Sequence, residues 1–153
     1  MKKIAILICL IFSMFLLSCA AFTQYEDTNG DDNYTLQSIT DDMIMKKDGG
    51  IQIGAVNSKT TKKGVTKISS SVHKFDGVEN FQSFSKGSYE ITLNFHVSSG
   101  NAKLVITDGN KIIYVFEINK DDQVFEFSCD KTYYLKLAGE ACEYQLQAEI
   151  KSK

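Results

Sequence analysis

The chain has 153 residues, of which 43% are hydrophobic and 24% are charged, and its formal net charge is −2 at pH 7. This size suits one domain with one hydrophobic core and leaves no room for a second. The slight acidity argues against nucleic acid as a partner, and because all seventeen basic residues are lysine, no guanidinium group is available for bidentate phosphate binding.

Residues 1–18 form the first predicted element, a secretory signal peptide. Lys2 and Lys3 precede an apolar run from Ile4 to Leu17, the arrangement of positive and apolar regions that directs export. The run is shorter than the roughly 20 residues that a membrane-spanning helix needs, and Ser13 interrupts it. We therefore interpret residues 1–18 as a removable signal.

The run ends in Leu16-Leu17-Ser18-Cys19, which resembles the bacterial lipobox. The resemblance implies that the Cys19 thiol receives a diacylglyceryl group and becomes the mature N-terminus after cleavage. Stable attachment needs more than one acyl chain, and a diacylated, N-acylated cysteine meets that need. The alternative is an ordinary signal peptide that is cleaved near Ala20 or Ala21. On the lipobox interpretation the protein is anchored to the bacterial cell membrane and faces outward.

Residues 19–34 are predicted to be a lipid-anchored tether, because they are polar and acidic and have no apolar periodicity. Residues 35–153 form the predicted domain, with a well-defined core over 65–151 and a poorly defined part over 35–64. Within 36–56, Leu36, Ile39 and Met43 have helical spacing, whereas Asp48-Gly49 between two apolar stretches indicates a hairpin. The second interpretation, a hairpin or separate short strands, is favoured.

The next segment, KTTKKGVTK, concentrates Lys59, Lys62, Lys63 and Lys67. It is predicted to be a solvated loop. The alternative is a contact with anionic envelope polymers or lipid headgroups.

The second half of the chain has the clearest strand pattern. Apolar and polar residues alternate over 89–98 and again over 143–150, which predicts strands with one buried face. Between them, AKLVIT, KIIYVFEI, QVFEF and YYLKL are short strand-like runs separated by the predicted turns SSGN, DGN, NKDD and CDKT. Two further strands are predicted in VTKISSSVHKF and VENFQSF. The pattern predicts an all-β fold, an antiparallel β-sandwich of about seven to nine strands.

The stretch from HKFDG to EYQLQAEI resembles the β-sandwich domains of small, uncharacterised lipoproteins of low-GC Gram-positive bacteria. The resemblance covers about 80 residues, from Val72 to Ile150, and rests on a structural rhythm of glycine and alternating apolar residues. It implies the sandwich fold and the lipid anchor and transfers no catalytic residue. Cys142 stands where such families often carry glycine.

Of the four cysteines, two are left with a free thiol in the predicted domain, because Cys9 is removed with the signal peptide and Cys19 receives lipid. In an exported domain the remaining pair, Cys129 and Cys142, favours a disulfide. A strand over Tyr133 to Leu137 would however separate them by five or six residues at about 3.3 Å each, and a disulfide needs Cα atoms about 4.4–6.8 Å apart. We favour two unpaired thiols, with the disulfide as the alternative.

The sequence carries no motif for catalysis or cofactor binding. His73 and His96 are the available histidines, and their spacing to Cys129 and Cys142 is unlike that of a known zinc module. We therefore predict no catalytic residue, no metal and no cofactor. The expected function is a lipid-anchored surface module that binds an unknown cell-envelope or protein ligand. The alternative is a hydrolase-like enzyme whose site is dispersed over the sandwich loops.

Overall fold

The structure is a computed structural model that describes residues 39–153. The predicted signal peptide, Cys19 and the tether to residue 34 lie outside the described residues. No helix in the described part of the chain is long and apolar enough to cross a membrane.

The described residues form one short helix and seven strands, which pair antiparallel in a single sheet. The predicted all-β fold is confirmed, and its seven strands fall within the predicted number. The elements are α1 (Asp41–Met45), β1 (Gly49–Ile53), β2 (Val56–Lys62), β3 (Val65–Phe84), β4 (Gly87–Thr107), β5 (Ile112–Val115), β6 (Lys120–Cys129) and β7 (Tyr133–Ser152).

Three long strands, in the order β3, β7 and β4, make the centre of the sheet. At one edge, β2 pairs with the first half of β3 and β1 pairs with its second half. At the other edge, β6 pairs with the first half of β4 and β5 pairs with its end. Each edge therefore consists of two short strands laid along one long strand.

The three long strands bend at neighbouring positions across the sheet, where the pairing register shifts. The shifts lie between Val72 and Gly77 in β3 and between Val97 and Asn101 in β4, and β7 crosses the same level at Ala141, whose φ is 44°. An extra residue in one strand of a pair bends that strand and increases its twist. The sheet therefore folds over on itself.

The bend divides the sheet into two layers. The first layer contains β2, β6 and residues 65–72, 87–97 and 144–152, and the second contains β1, β5 and residues 75–84, 101–107 and 133–142. Rings from the two layers meet in the core: the Phe84 and Phe127 centroids are 5.1 Å apart, and those of Tyr114 and Phe125 are 4.0 Å apart.

The predicted one-sided strands are confirmed. Ile91, Leu93 and Phe95 are buried in β4, while the alternate residues Thr92 and Asn94 point to the other face. In β7 the buried residues of the alternating stretch 143–150 are Tyr144, Leu146, Ala148 and Ile150. Side chains alternate between faces along a strand, so one face of each strand builds the core and the other faces solvent.

The helix α1 packs on the outward face of the second layer. Its Ile44 is fully buried and joins a small apolar cluster with Ile39, Val78, Val105 and Ala138. Of the interpretation favoured for 36–56, the hairpin is wrong, because a helix forms at Asp41–Met45 and Asp48-Gly49 leads directly into β1, which pairs with β3. The separate short strand, the other form of that interpretation, is present as β1. The long-range pairing with β3 decided the structure of this segment.

Two predicted loops are also strands. KTTKKGVTK is a hairpin in which Lys63 and Gly64, with φ of 50° and 77°, link β2 directly to β3. Positive φ at both central residues is the signature of the tight turns that match the twist of paired strands. The predicted SSGN turn lies inside β4. There Gly100, with φ of 69°, takes part in the bend, and the chain does not reverse.

Candidate functional site

The outward face of the first layer is a polar surface five strands wide. Strand register places Ser58 of β2 opposite Ser69, Ser69 opposite Gln147, and Gln147 opposite Asn94. These four side chains form one row of hydroxyl and amide groups across the sheet. The row lies on this face because apolar residues occupy the alternate, inward positions.

A shallow groove of about 360 Å³ runs over this row. Lys67 and Glu149 form an ion pair of 3.1 Å beside it, between side chains that are 69% and 36% exposed. We call this site the polar groove. Its polar lining residues are Ser58, Thr60, Lys67, Ser69, Thr92, Asn94, Asp122, Gln147 and Glu149.

His96 lies next to the groove, where its Nε2 is 2.8 Å from Asp121 Oδ1. The start of β6 holds Asp121 there: Asn94 Oδ1 accepts a hydrogen bond from the backbone N–H of Asp122 at 2.7 Å. The His96 and Asp121 side chains are 45% and 61% exposed, so solvent screens their interaction. This pair can donate and accept hydrogen bonds from a ligand in the groove.

A second cleft, of about 380 Å³, opens at the edge between β2 and the second half of β3. Lys59 crosses it and donates a hydrogen bond from Nζ to the Phe81 carbonyl at 2.8 Å. Glu79 and Ser70 line its interior. We call it the edge cleft.

Five side chains at the edge cleft form a closed hydrogen-bonded ring. The Tyr144 hydroxyl lies 3.0 Å from Ser70 Oγ and 3.0 Å from Glu79 Oε2, and Ser70 donates to Asn57 Oδ1 at 2.6 Å. Gln52 closes the ring by donating to Glu79 Oε2 at 2.8 Å and accepting from Asn57 Nδ2 at 3.2 Å. We call these residues the polar ring.

The hydroxyl groups of the polar ring have fewer hydrogens than contacts. Ser70 has one hydroxyl hydrogen, which it donates to Asn57. The Tyr144 hydroxyl also has one hydrogen, but it contacts both Ser70 and Glu79. The Tyr144 hydrogen goes to Glu79 Oε2, so the 3.0 Å contact between the Tyr144 hydroxyl and Ser70 Oγ has no hydrogen of its own. Burial raises the pKa of the Glu79 carboxyl above its ordinary value of 4.5, against the opposing effect of the hydrogen bonds from Tyr144 and Gln52.

We expect Glu79→Gln to reduce the loss of stability between pH 4 and pH 7. The pKa of Glu79 is raised in the folded state, so its contribution is fully present below the unfolded pKa near 4.5 and is lost as pH rises through the folded pKa. The glutamine amide does not ionise, so the variant does not lose this stability as pH rises. The measurement is urea unfolding at several pH values, which gives the free energy of unfolding of the wild type and of the variant at each pH.

The matched control is Glu140→Gln, which neutralises a carboxylate at the bend, outside the polar ring. This change should leave the pH dependence as in wild type. Parallel pH profiles for wild type and Glu79→Gln would contradict the assignment.

The two cysteines of the domain are buried free thiols at different places in the fold. Cys129 ends β6 opposite Gly87 and donates from Sγ to the Ser85 carbonyl at 2.9 Å. Cys142 lies at the bend opposite Phe75, where burial raises the pKa of its thiol to about 11. Both thiols fill the core in this arrangement.

The structure does not gather the two histidines and two cysteines into a cluster. His73 lies 3.4 Å from Glu143 and is exposed, whereas His96 pairs with Asp121. Among residues 39–153, no group of three or more His, Cys, Asp or Glu side chains could hold a metal ion. The predicted lipid attachment residue, Cys19, lies outside the described residues.

The fold and the site define an antiparallel all-β domain in which no element of residues 39–153 covers the polar face of the first layer. Comparison of the chain with protein-family models, curated proteins and solved structures found no match. Sequence reasoning missed Glu79 and Tyr144, whose contact joins residues 65 positions apart in the chain.

Proposed function

We propose that this protein is a lipid-anchored protein of the bacterial cell surface that acts as a non-enzymatic binding module for a cell-envelope or protein ligand. The support for the anchor is the Leu16-Leu17-Ser18-Cys19 sequence after an apolar export signal. The acyl chains on Cys19 would hold the protein to the outer face of the membrane.

The support for binding is the polar row through Ser58, Ser69, Gln147 and Asn94. Hydroxyl and amide groups both donate and accept hydrogen bonds, so the row can recognise a polar ligand without a matching charge. Strand pairing fixes the spacing of these groups, which lowers the entropy lost on binding. On the second layer, α1 packs against part of the corresponding face through Ile44.

A photo-crosslinking residue in place of Gln147 tests this proposal in cells that make the full-length protein. We expect ultraviolet irradiation to produce a discrete adduct, because position 147 lies in the polar groove. Adding Asn94→Lys to the same chain should remove most of the adduct, since a new charge in the groove opposes a partner that fits the native surface.

The matched control carries the photo-crosslinking residue at Lys86, in the turn between β3 and β4. This position should give no discrete adduct. Equal adducts from both positions, or from the Asn94→Lys chain, would contradict binding at the polar groove.

The second candidate is a hydrolase-like enzyme, and the observation in its favour is Glu79 in the edge cleft. A carboxyl group whose pKa is raised by burial is suited to general-acid catalysis. The polar ring, however, already engages Glu79 with Tyr144 and Gln52. Loss of a measured hydrolytic activity in Glu79→Gln, with unchanged crosslinking from position 147, would favour the enzyme.

A further inference from the structure

The exposed large hydrophobic side chains of the described residues all lie at the two edges of the sheet. One group is Ile51, Ile53 and Val56, which are 65%, 55% and 74% exposed, in β1 and β2. The other is Val115, Ile118 and Val124, in β5, β6 and the segment between them. Exposed apolar groups on an open strand edge mark a site where another strand can add.

Both edges have an open side in the described chain. β1 and β2 pair with β3 alone, and β5 and β6 pair with β4 alone. A strand that pairs on one side presents unpaired N–H and C=O groups on the other. We call Gly49–Lys62 the first edge and Ile112–Cys129 the second edge.

The two edges carry opposite charge. The first edge and its turn into β3, residues 49–64, contain three lysines and no acidic residue. The second edge contains four acidic residues and one lysine. The acidic residues are Glu117, Asp121, Asp122 and Glu126.

Strand register also places a lysine and a glutamate at the same level on the two edges. Lys62 lies opposite Val65, and Val65 opposite Lys151. Lys151 lies opposite Glu90, and Glu90 opposite Glu126. Lys62 and Glu126 are therefore the two ends of one row across the first layer.

The antiparallel order makes β2 and β6 run in the same direction within a copy. A second copy that continued the sheet at the same level would pair its β2 with β6 of the first, and its Lys62 would meet Glu126. Glu126 already holds Lys153 Nζ at 2.7 Å, but a carboxylate has two oxygens and can accept from both lysines. The Lys62 side chain has no hydrogen bond or ion pair within residues 39–153.

We propose that copies of this chain associate head to tail, with the first edge of one copy pairing with the second edge of the next. Two-fold pairing of like edges would bring two lysine-rich edges or two acidic edges together, which is repulsive. The head-to-tail contact instead unites opposite charges and covers both apolar groups. A contact between different surfaces leaves a free edge at each end, so it produces open chains or rings.

Zero-length carbodiimide crosslinking of the purified full-length protein in nonionic detergent tests the proposal. The reagent joins a lysine to a carboxylate in direct contact, and a mixture of ¹⁴N- and ¹⁵N-labelled chains separates crosslinks between copies from crosslinks within one. We expect a ladder of dimers, trimers and larger species, with a mixed-label peptide that joins Lys62 to Glu126. The ladder should weaken as salt rises from about 0.05 to 0.5 M, because salt screens the contact.

Charge-swap variants test whether Lys62 of one copy contacts Glu126 of the next. Lys62→Glu alone and Glu126→Lys alone should each reduce the ladder several-fold, because each places like charges across the contact. Mixing the two single variants, or combining both changes in one chain, should restore it. The matched controls Lys86→Glu and Glu140→Lys change the same charges away from both edges and should leave the ladder intact.

Each other outcome would overturn the proposal. A protein that stays monomeric and gives no mixed-label crosslink at any concentration would show that the edge lysines only protect β2 from association. A dimer that resists Lys62→Glu, or that stops at two copies without a ring, would show a two-fold contact elsewhere on the surface.

Discussion

Phe95→Ala should lower the free energy of unfolding by about 3–5 kcal/mol. Phe95 is fully buried in the central strand β4 and lies opposite Leu146 of β7. Its ring also contacts Tyr144, with centroids 6.5 Å apart. Truncation removes the apolar area that the ring buries and leaves a cavity between the layers, which close-packed neighbours fill only in part.

Gln145→Ala is the matched control for this change, and urea unfolding of both variants is the measurement. Gln145 lies on the exposed face of β7 opposite His96, so its truncation should alter stability by no more than about 0.5 kcal/mol. Asn94 is a poorer control, because its side chain accepts a hydrogen bond from the Asp122 backbone. If both truncations cost the same, the one-sided burial of these strands would be refuted.

Cys19→Ala should abolish lipidation and processing of the chain. Each buried CH₂ of an acyl chain contributes about 0.8 kcal/mol to anchoring, and without the thiol no acyl chain can attach. Wild-type protein should partition into the detergent phase of a phase-separation assay and carry the mass of the acyl groups. The variant should remain an unprocessed precursor without added lipid mass.

The control for anchoring is Cys9→Ala, which removes a thiol inside the export signal and keeps the Leu16-Leu17-Ser18-Cys19 sequence. This variant should be processed and anchored as wild type. An intact mass of the wild-type protein without any acyl addition would refute the lipobox interpretation directly.

The strands with one buried face could be predicted from the sequence, because burial of a single face imposes period-two alternation. Residues 89–98 and 143–150 carry this pattern without interruption. In the structure the first stretch lies in β4 and the second in β7. The tight turn at Lys63-Gly64 also had a signal, a glycine between threonine-rich flanks. The concentration of lysines around it suggested a loop instead.

The bend could not be predicted, because a bulge and a turn use the same residues. Ser98, Ser99, Gly100 and Asn101 are common in reversals, and here the chain continues through them within β4. Gly100 allows the close approach, since a Cβ at this position would overlap the Ala141 carbonyl of the neighbouring strand. Only the long-range pairing of β4 with β7 distinguishes a bent strand from a hairpin.

The polar ring could not be predicted from the sequence either. Ser70 and Tyr144 are 74 positions apart, and each is an unremarkable polar residue in its own strand. The lysines of the first edge were visible as a cluster, but their acidic counterpart on β6 became meaningful only when the sheet order placed β2 and β6 at opposite edges.

The position of β7 constrains when the molecule can fold. β7 follows the other six described strands along the chain, yet it lies between β3 and β4 and supplies the partner for both. Until residues 133–152 are available, the two other long strands have no central neighbour, and pairings between strands distant in the chain form slowly. The sheet of the described domain therefore cannot close until residues 133–152 join it, in whatever order the other strands form.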